Sequence, residues 1–498
     1  MKRSKLLFNS GANMAGRLAA AGSSMIAAPI IIHAIGREGF GVISFTLSFL
    51  ALSSLLDLGL AATANRSIAK ATEKEDSSAE QSDLLRTFEL LYWAGAVIII
   101  GSSFAVSGWI ARDWLKLGTL GPRDAALVVV LTGSMLGLRF PVGLYSGVLF
   151  GLRRHGYQNL VFGAFSALRY LGGAAIVVFV SPSVLAYSEW LAVTGLAEMC
   201  TSAIVAWALI GGRHSFLAGR FRTAILVQHW RFSLMFAATG AVGSLWASSD
   251  RIIVGKLLPT SDLGLYGLLY TPAGALTMVS AALAVAAFPE FAIVTSQPDL
   301  ASARALFVRA QVLTTACILT ISVPLVVHYG SILRLWTRDA AIAHDGHMPG
   351  VLLVAAMAVN ALANPSYTCF VASGRPRIAL AWNLAALVIL PSTIVLLVPR
   401  LGLSGAATGV LLVNLCGLVF FLVMVHRLLA LSRPSAQIGG ILLLSASLVF
   451  CNVLIAVASW SEWAKVVTGL AVSALLGLFY AMRTGMLQPT AMRAVEEE

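Results

Sequence analysis

Five ionisable side chains lie well inside the long apolar stretches of this sequence. They are Arg17, Asp57, Arg139, Arg169 and Glu198. A charge in hydrocarbon costs roughly 2.5–3.5 kcal/mol on insertion scales, so such residues usually face a cavity or an oppositely charged partner. Because a guanidinium binds two phosphate oxygens at once, the three arginines predict a binding site for an anionic ligand.

Two interpretations of these charges stay open. Asp57 precedes Arg66 by nine residues, which places it near the depth of Arg17 and predicts an ion pair between Arg17 and Asp57. The five residues would then either lock helices together as buried ion pairs or contact a ligand. Arg66 and Arg251 are weaker candidates for the same ligand. Three acidic residues either neutralise arginines or bind a coupling proton or sodium ion. They are Asp57, Glu198 and Asp250.

Long apolar segments position these charges. Of the 498 residues, 58% are hydrophobic and 11% are charged, against roughly 25% charged residues in soluble domains. The apolar segments recur about fourteen times at about 20–28 residues each, long enough to cross a ~30 Å hydrocarbon core. We predict an all-α integral membrane protein of about 14 transmembrane helices. Motifs for nucleotide hydrolysis, serine hydrolysis and zinc proteolysis do not occur, so no enzyme, cofactor or metal is expected.

The basic residues predict the orientation of the chain. They fall mainly in the alternate loops that share a side with both chain ends, and loops rich in lysine and arginine stay cytoplasmic. The N- and C-termini are therefore predicted to be cytoplasmic, in a bacterial inner membrane. The net charge of +12 is explained by this topology, because most of the basic residues face the anionic lipid of the inner leaflet. It does not indicate nucleic-acid binding.

An internal repeat occurs at a shift of 223 residues. It superposes Gly41 on Gly264, Gly151 on Gly374, and Arg154 on Arg377. Because six helices separate these pairs, the two halves would share one orientation in the membrane. The predicted domains are an N-terminal six-helix lobe at 1–222, a C-terminal six-helix lobe at 223–432 facing it across a central cleft, and two appended helices with a cytoplasmic tail at 433–498.

The two halves differ in chemistry. The shift superposes uncharged residues on all five intramembrane charges, so the anion site is predicted in the first half alone. The second half offers amides and aromatic rings at membrane depth, which either bind a neutral hydroxylated ligand or join helices by hydrogen bonds and packing. These residues are Tyr266, Tyr270, Asn360, Asn364, Tyr367, Trp382, Asn383 and Asn414.

Short motifs in both halves carry a family resemblance. A G-x-x-x-F-G turn at Gly36–Gly41 is followed by Asp57-Leu58-Gly59-Leu60 and by Arg66, and the segments SDLGLYG at Ser261 and SGRPR at Ser373 lie in the second half. This pattern resembles the bacterial polysaccharide transporter family, the Wzx-like lipid-linked oligosaccharide flippases of the multidrug/oligosaccharidyl-lipid/polysaccharide exporter superfamily.

The resemblance implies a fold similar to multidrug and toxin exporters and a function by alternating access. The ligand would be a polyprenyl-diphosphate-linked oligosaccharide, moved from the cytoplasmic to the periplasmic leaflet for exopolysaccharide, capsule or O-antigen assembly. Its partners would be membrane lipid and a periplasmic-side polymerase with export machinery. The diphosphate or acidic sugars would bind arginines of the first lobe, here Arg17, Arg139 and Arg169.

Two other functions remain open at this point. A cation-coupled multidrug exporter of the related family would usually have twelve helices and acidic residues in its first lobe. A membrane glycan polymerase or ligase would normally have a large outer loop with catalytic residues. The sequence does not indicate which glycan is carried, the energy coupling or the oligomeric state.

Overall fold

The computed structural model describes residues 2–49, 59–72, 78–211, 219–223, 242–296, 300–429 and 436–483. The chain forms two compact units, Met1–Leu268 (unit 1) and Leu269–Glu498 (unit 2). Each unit is described by itself below. The lobe boundaries predicted from the repeat, at 222 and 432, are a different division of the chain and stay a prediction.

The described residues of unit 1 form mainly helices. Two of them are extended by five-residue π-helical turns, Ile110–Trp114 after α3 and Leu168–Gly172 between α6 and α7. The helices are α1 (Lys2–Ser48), α2 (Leu60–Ala71), α3 (Ser78–Trp109), α4 (Pro122–Arg139), α5 (Val142–Gly151), α6 (His155–Ala167), α7 (Gly173–Phe179), α8 (Val184–Gly211), α9 (residues 242–257) and the start of α10 (Thr260–Ser296).

Unit 2 continues in the same way from α10. Its helices are α11 (Leu300–Val327), α12 (Tyr329–Thr337), α13 (Ala340–Ala372), α14 (Pro376–Leu429), α15 (Ala436–Val457) and α16 (Glu462–Arg483). Helix α14 contains two helical segments, because Gly402 has non-helical backbone angles (φ 55°, ψ −136°).

The predicted multi-pass membrane architecture is confirmed. The described part of the chain contains 10 helices long and apolar enough to cross a membrane, and Ile441–Val457 forms a shorter apolar helix. One of the ten is α14, which has 54 residues and contains the break at Gly402. Two of the predicted apolar segments, at 40–66 and 228–255, include residues 50–58 and 228–241, which lie outside the described residues.

Two glycines of the family-like motifs occupy backbone conformations that favour glycine. Gly36, which opens the G-x-x-x-F-G turn, has φ 76° and interrupts α1. Gly59 has φ 69° and caps the N-terminus of α2. Because a side chain at positive φ is strained, these two positions explain why the motif places glycine at both helix boundaries.

Each unit has its own hydrophobic core. In unit 1, residues of α2, α3, α5 and α8 pack together around Leu85, Phe88 and Tyr145, each at most 1% exposed. In unit 2 a second cluster contains several phenylalanines, among them Phe370 and Phe421. These cores fix the helices on which the candidate site residues lie.

Candidate functional site

Three of the predicted site residues meet in unit 1. Arg139 ends α4, Arg169 lies in the π-helical turn, and Glu198 lies in α8. Arg139 Nε donates to Glu198 Oε2 at 2.7 Å, and its Nη2 donates to Oε1 at 3.4 Å. Arg169 Nη2 also donates to Oε2 of Glu198. Three helical elements therefore converge on one carboxylate, and we call these residues the arginine–glutamate triad.

The triad is buried and carries an excess of positive charge. Glu198 is 1% exposed and Arg169 is 6% exposed, whereas the side chain of Arg139 is 19% exposed. Two guanidinium groups share one carboxylate, which leaves a formal charge of +1. The buried Nε of Arg169 has no hydrogen-bond partner within the described ranges. The arrangement holds N–H donors that a second anion would satisfy.

The π-helical turn at Leu168–Gly172 places Arg169 in this arrangement. Two glycines let the turn pack against aromatic rings of α8: a Cβ added at Gly172 would lie 2.5 Å from Trp190, and one added at Gly173 would lie 2.4 Å from Tyr187. Trp190 Nε1 donates to the carbonyl oxygen of Leu168 at 3.1 Å. Such single π turns inside helices occur frequently at functional sites.

The other predicted site residues lie apart from the triad or outside the described part. The side chain of Arg17 and all of Asp57 are not described, so the ion pair between them stays a prediction. Arg66 is exposed on α2. Asp250, next to Arg251 on α9, accepts a hydrogen bond from the hydroxyl of Tyr266 at 3.1 Å.

A second buried carboxylate in unit 1, Glu89, is absent from the sequence prediction. It accepts hydrogen bonds from Arg86 Nη1 at 2.8 Å, from the hydroxyl of Tyr145 at 2.7 Å and from Trp207 Nε1 at 3.1 Å. The guanidinium of Arg86 also lies 4.9 Å from the ring centroid of Trp207. The spacing of Arg86 and Glu89 at the start of an apolar segment was the available signal. Glu89 thus accepts hydrogen bonds from side chains on three helices, α3, α5 and α8, and holds these helices together.

A close helix crossing in unit 1 joins residues that the internal repeat superposes. A Cβ added at Gly41 would lie 2.0 Å from the carbonyl oxygen of Thr260, and one added at Gly264 would lie 1.8 Å from that of Arg37. The 223-residue shift converts Gly41 into Gly264 and Arg37 into Thr260, so the two contacts are reciprocal. Reciprocal contacts of equivalent residues occur where a two-fold axis passes. This glycine crossing therefore brings together residues that the predicted repeat superposes.

Polar contacts surround the glycine crossing. The carboxylate of Glu38 accepts hydrogen bonds from the backbone N–H of Thr119 at 2.8 Å and of Leu120 at 3.1 Å. Lys116 Nζ donates to the carbonyl oxygen of Leu257 at 2.7 Å. Glu38 and Lys116 also line a cavity of about 620 Å³ beside the crossing. These hydrogen bonds join the loop before α4 to both segments that form the glycine crossing.

In unit 2, several of the predicted amides join helices. Asn360 Nδ2 donates to Asn414 Oδ1 at 2.9 Å, and Asn364 Nδ2 donates to Ser280 Oγ at 3.1 Å. Asn364 also lines a largely apolar cavity of about 440 Å³ together with Tyr367. The described residues contain no group of three histidine, cysteine or carboxylate side chains that could hold a metal ion.

Comparison with known proteins gives consistent matches. Residues 6–294 match the family described as "Polysaccharide biosynthesis protein". A Shigella flexneri protein assigned as an O-antigen transporter is 22% identical over 395 residues, which cover 77% of this chain and 90% of that protein.

Two solved structures share the fold. The lipid II flippase MurJ in an inward closed conformation has a TM-score of 0.71 at 11% identity and covers 96% of this chain and 99% of its own. A multidrug resistance MATE family transporter of the MOP superfamily in an inward-facing conformation has a TM-score of 0.70 at 14% identity and covers 82% of this chain and 94% of its own. The fold predicted from the motifs is confirmed by these two structures.

Proposed function

The chain belongs to the polysaccharide biosynthesis protein family, a family of membrane transporters rather than enzymes, and from this premise we propose that it is a lipid-linked oligosaccharide flippase. It moves a polyprenyl-diphosphate-linked oligosaccharide from the cytoplasmic to the periplasmic leaflet of the bacterial inner membrane. The names of its relatives support a lipid-linked cargo, since one is assigned as an O-antigen transporter and another is a lipid II flippase. A periplasmic-side polymerase would then receive the oligosaccharide.

The arginine–glutamate triad is the observation that best supports a diphosphate cargo. Two guanidinium groups on one carboxylate leave a net positive charge within the apolar spans Pro122–Gly151, His155–Phe179 and Val184–Ile210. Positive charge and N–H donors attract a diphosphate, whereas a cationic drug would be repelled. The triad therefore favours the flippase over the cation-coupled multidrug exporter.

Removal of both arginines tests this proposal. The double variant Arg139→Ala/Arg169→Ala, made in a Glu198→Gln background so that no unpaired carboxylate is left buried, should insert into the membrane and lose flipping of a fluorescent lipid-linked oligosaccharide in proteoliposomes, because the diphosphate loses its donors. Arg123→Ala, an exposed arginine in the first turn of α4, is the matched control and should flip the lipid normally. Full flipping by the double variant would remove the triad as the diphosphate site.

We also infer alternating access, in which the glycine crossing forms the periplasmic closure. The predicted orientation places Gly41, Gly264 and their neighbours on the periplasmic side. Backbone contact this close excludes water and headgroups, so the crossing has to part before the oligosaccharide leaves.

A reversible cross-link tests the closure. Cβ atoms at positions 44 and 267 would lie 3.0 Å apart, near the ~3.5–4.5 Å spacing of disulfides. In a background with the five native cysteines changed to serine, oxidised Ser44→Cys/Gly267→Cys protein should stop flipping, and reduction should restore it. Each single cysteine variant controls for the substitution. Continued flipping by fully cross-linked protein would contradict the closure.

A further inference from the structure

Glu198 occupies the position in which an anion would bridge the two arginines. Its Oε2 accepts from Arg139 Nε at 2.7 Å and also from Arg169 Nη2. Phosphate oxygens accept hydrogen bonds from guanidinium groups in the same geometry. The carboxylate therefore holds the donors that a ligand phosphate needs.

The charges of the two arginines, the carboxylate and the ligand differ between the empty and the loaded site. Two guanidinium groups without a counter-ion repel each other strongly in the low dielectric of a buried site. A carboxylate keeps the site near neutrality while it is empty. A lipid diphosphate brings about two negative charges at neutral pH, so both arginines would be neutralised by the ligand alone, and the carboxylate would then be one negative charge too many.

The contrast with Glu89 separates an exchangeable carboxylate from a structural one. Glu89 is held by an arginine, a tyrosine hydroxyl and a tryptophan N–H. Glu198 accepts its side-chain hydrogen bonds from the two arginines, and the contact to its Oε1 is long, at 3.4 Å. Arg139 has the most exposed side chain of the triad. A ligand entering beside Arg139 would meet the weakly held Oε1 side of the carboxylate.

We propose that Glu198 is the resident counter-ion of the anion site and that the diphosphate of the cargo displaces it from Arg139 and Arg169. This inference rests on the proposed function, because it assumes that the triad receives a diphosphate. Glu198 then sets both the affinity for the cargo and the release of the cargo, since the carboxylate returns to the arginines as the diphosphate leaves.

Binding to a charge-neutral variant tests the displacement. Purified Glu198→Gln protein in nanodiscs should bind geranylgeranyl diphosphate at least tenfold more tightly than wild type, because the competing carboxylate is gone. Flipping by the variant should be slower, because release lacks the returning carboxylate. Glu89→Gln is the matched control: it should lower thermal stability without changing affinity for the diphosphate.

The outcomes separate this inference from the proposed function. Equal or weaker binding by Glu198→Gln, with clear binding by wild type, overturns the displacement and leaves the diphosphate site intact. No binding by either protein overturns the site and the displacement together. Where Glu198→Gln yields too little folded protein, Glu198→Asp replaces it, because a shorter carboxylate contacts the arginines less well. Tighter binding by Glu198→Asp than by wild type supports the displacement, and unchanged or weaker binding overturns it.

Discussion

Units 1 and 2 place opposite chemistry at positions that the internal repeat superposes. The superposed pairs are Arg139 and Leu362, Arg169 and Ser392, and Glu198 and Phe421. In unit 1, Glu198 is the centre of a buried ion cluster. In unit 2, Phe421 is 4% exposed and its ring packs against Tyr367, with centroids 5.9 Å apart. The predicted repeat thus pairs a buried acid of unit 1 with a buried aromatic ring of unit 2.

The glycine crossing behaves in the opposite way. There the repeat keeps glycine in both halves, at Gly41 and Gly264, because each backbone lies against the carbonyl oxygen of the other strand of chain. Close packing demands the same small residue on both sides of the crossing. A ligand demands its charges in one place only. Positions that the predicted repeat superposes therefore keep glycine where two backbones touch, and differ in charge where the arginine–glutamate triad lies.

The largest effect is expected when the acid of unit 1 is copied into unit 2. Phe421→Glu would bury a carboxylate among the aromatic rings of the unit 2 core, and an uncompensated buried charge costs roughly 3–5 kcal/mol. We expect little folded protein in the membrane, measured by fluorescence-detected gel filtration. Phe421→Leu, which keeps the site apolar, is the control and should fold. Normal yield of Phe421→Glu would mean that the two positions are not different in environment.

The next effect comes from copying unit 2 into unit 1. The triple variant Arg139→Leu/Arg169→Ser/Glu198→Phe removes every charge of the triad, whereas Glu198→Phe alone leaves two buried arginines without their acid. The single variant should be less stable than the triple variant by roughly 2 kcal/mol or more, because broken ion pairs cost more than absent ones. Thermal unfolding measures this, and both variants should lose flipping. Additive effects of the three substitutions would contradict a coupled triad.

A smaller effect is expected at the glycine crossing. Gly264→Ala places a Cβ within 1.8 Å of the carbonyl oxygen of Arg37, so the backbones have to separate, at a cost of about 1–3 kcal/mol. We expect a lower unfolding temperature and greater labelling of a cysteine at Ser261 from the periplasmic side. Gly274→Ala on the same helix has no atom within 4 Å of the new Cβ and should change neither. Equal behaviour of the two variants would remove the crossing as a closure.

The charged residues of the triad could be predicted from the sequence, but their partners could not. Arg139, Arg169 and Glu198 stood out because charges are rare in long apolar segments. Their meeting depends on how α4, α8 and the π-helical turn pack, which hydropathy does not encode. The π-helical turn itself lies in LRYLG, a stretch of residues with no distinguishing signal. The prediction lacks Glu89 because Glu89 follows Arg86 near the start of an apolar span, where charges usually belong to the preceding loop.

The smallest effect that we expect is a pH dependence of local stability in a neutral polar cluster of unit 2. His328 lies between the spans Leu300–Val327 and Ala340–Ala372, is 3% exposed, and has Nε2 3.2 Å from Asn452 Oδ1. Asn452 Nδ2 in turn donates to Ser473 Oγ at 2.9 Å, so this cluster joins α15 and α16 to the end of α11. Burial lowers the pKa of His328, with Lys465 acting in the same direction and the Asn452 hydrogen bond and Glu462 acting against it.

The sign of the pH dependence follows from that pKa. Released from the cluster, His328 binds a proton below its ordinary pKa of about 6.5, whereas the packed imidazole stays neutral. The contribution of the cluster to stability is therefore complete above that pH and is lost as the pH falls, by at most about 1.4 kcal/mol per pH unit. Amides of α15 and α16 should lose protection against hydrogen exchange between pH 7.5 and 5.5, once the rates are corrected for the intrinsic effect of pH. The amides of α4 and α8 serve as the reference and should keep their protection. His328→Gln, which keeps an amide beside Asn452 but does not titrate, should lose this difference, and an unchanged pH response would exclude His328 as its source.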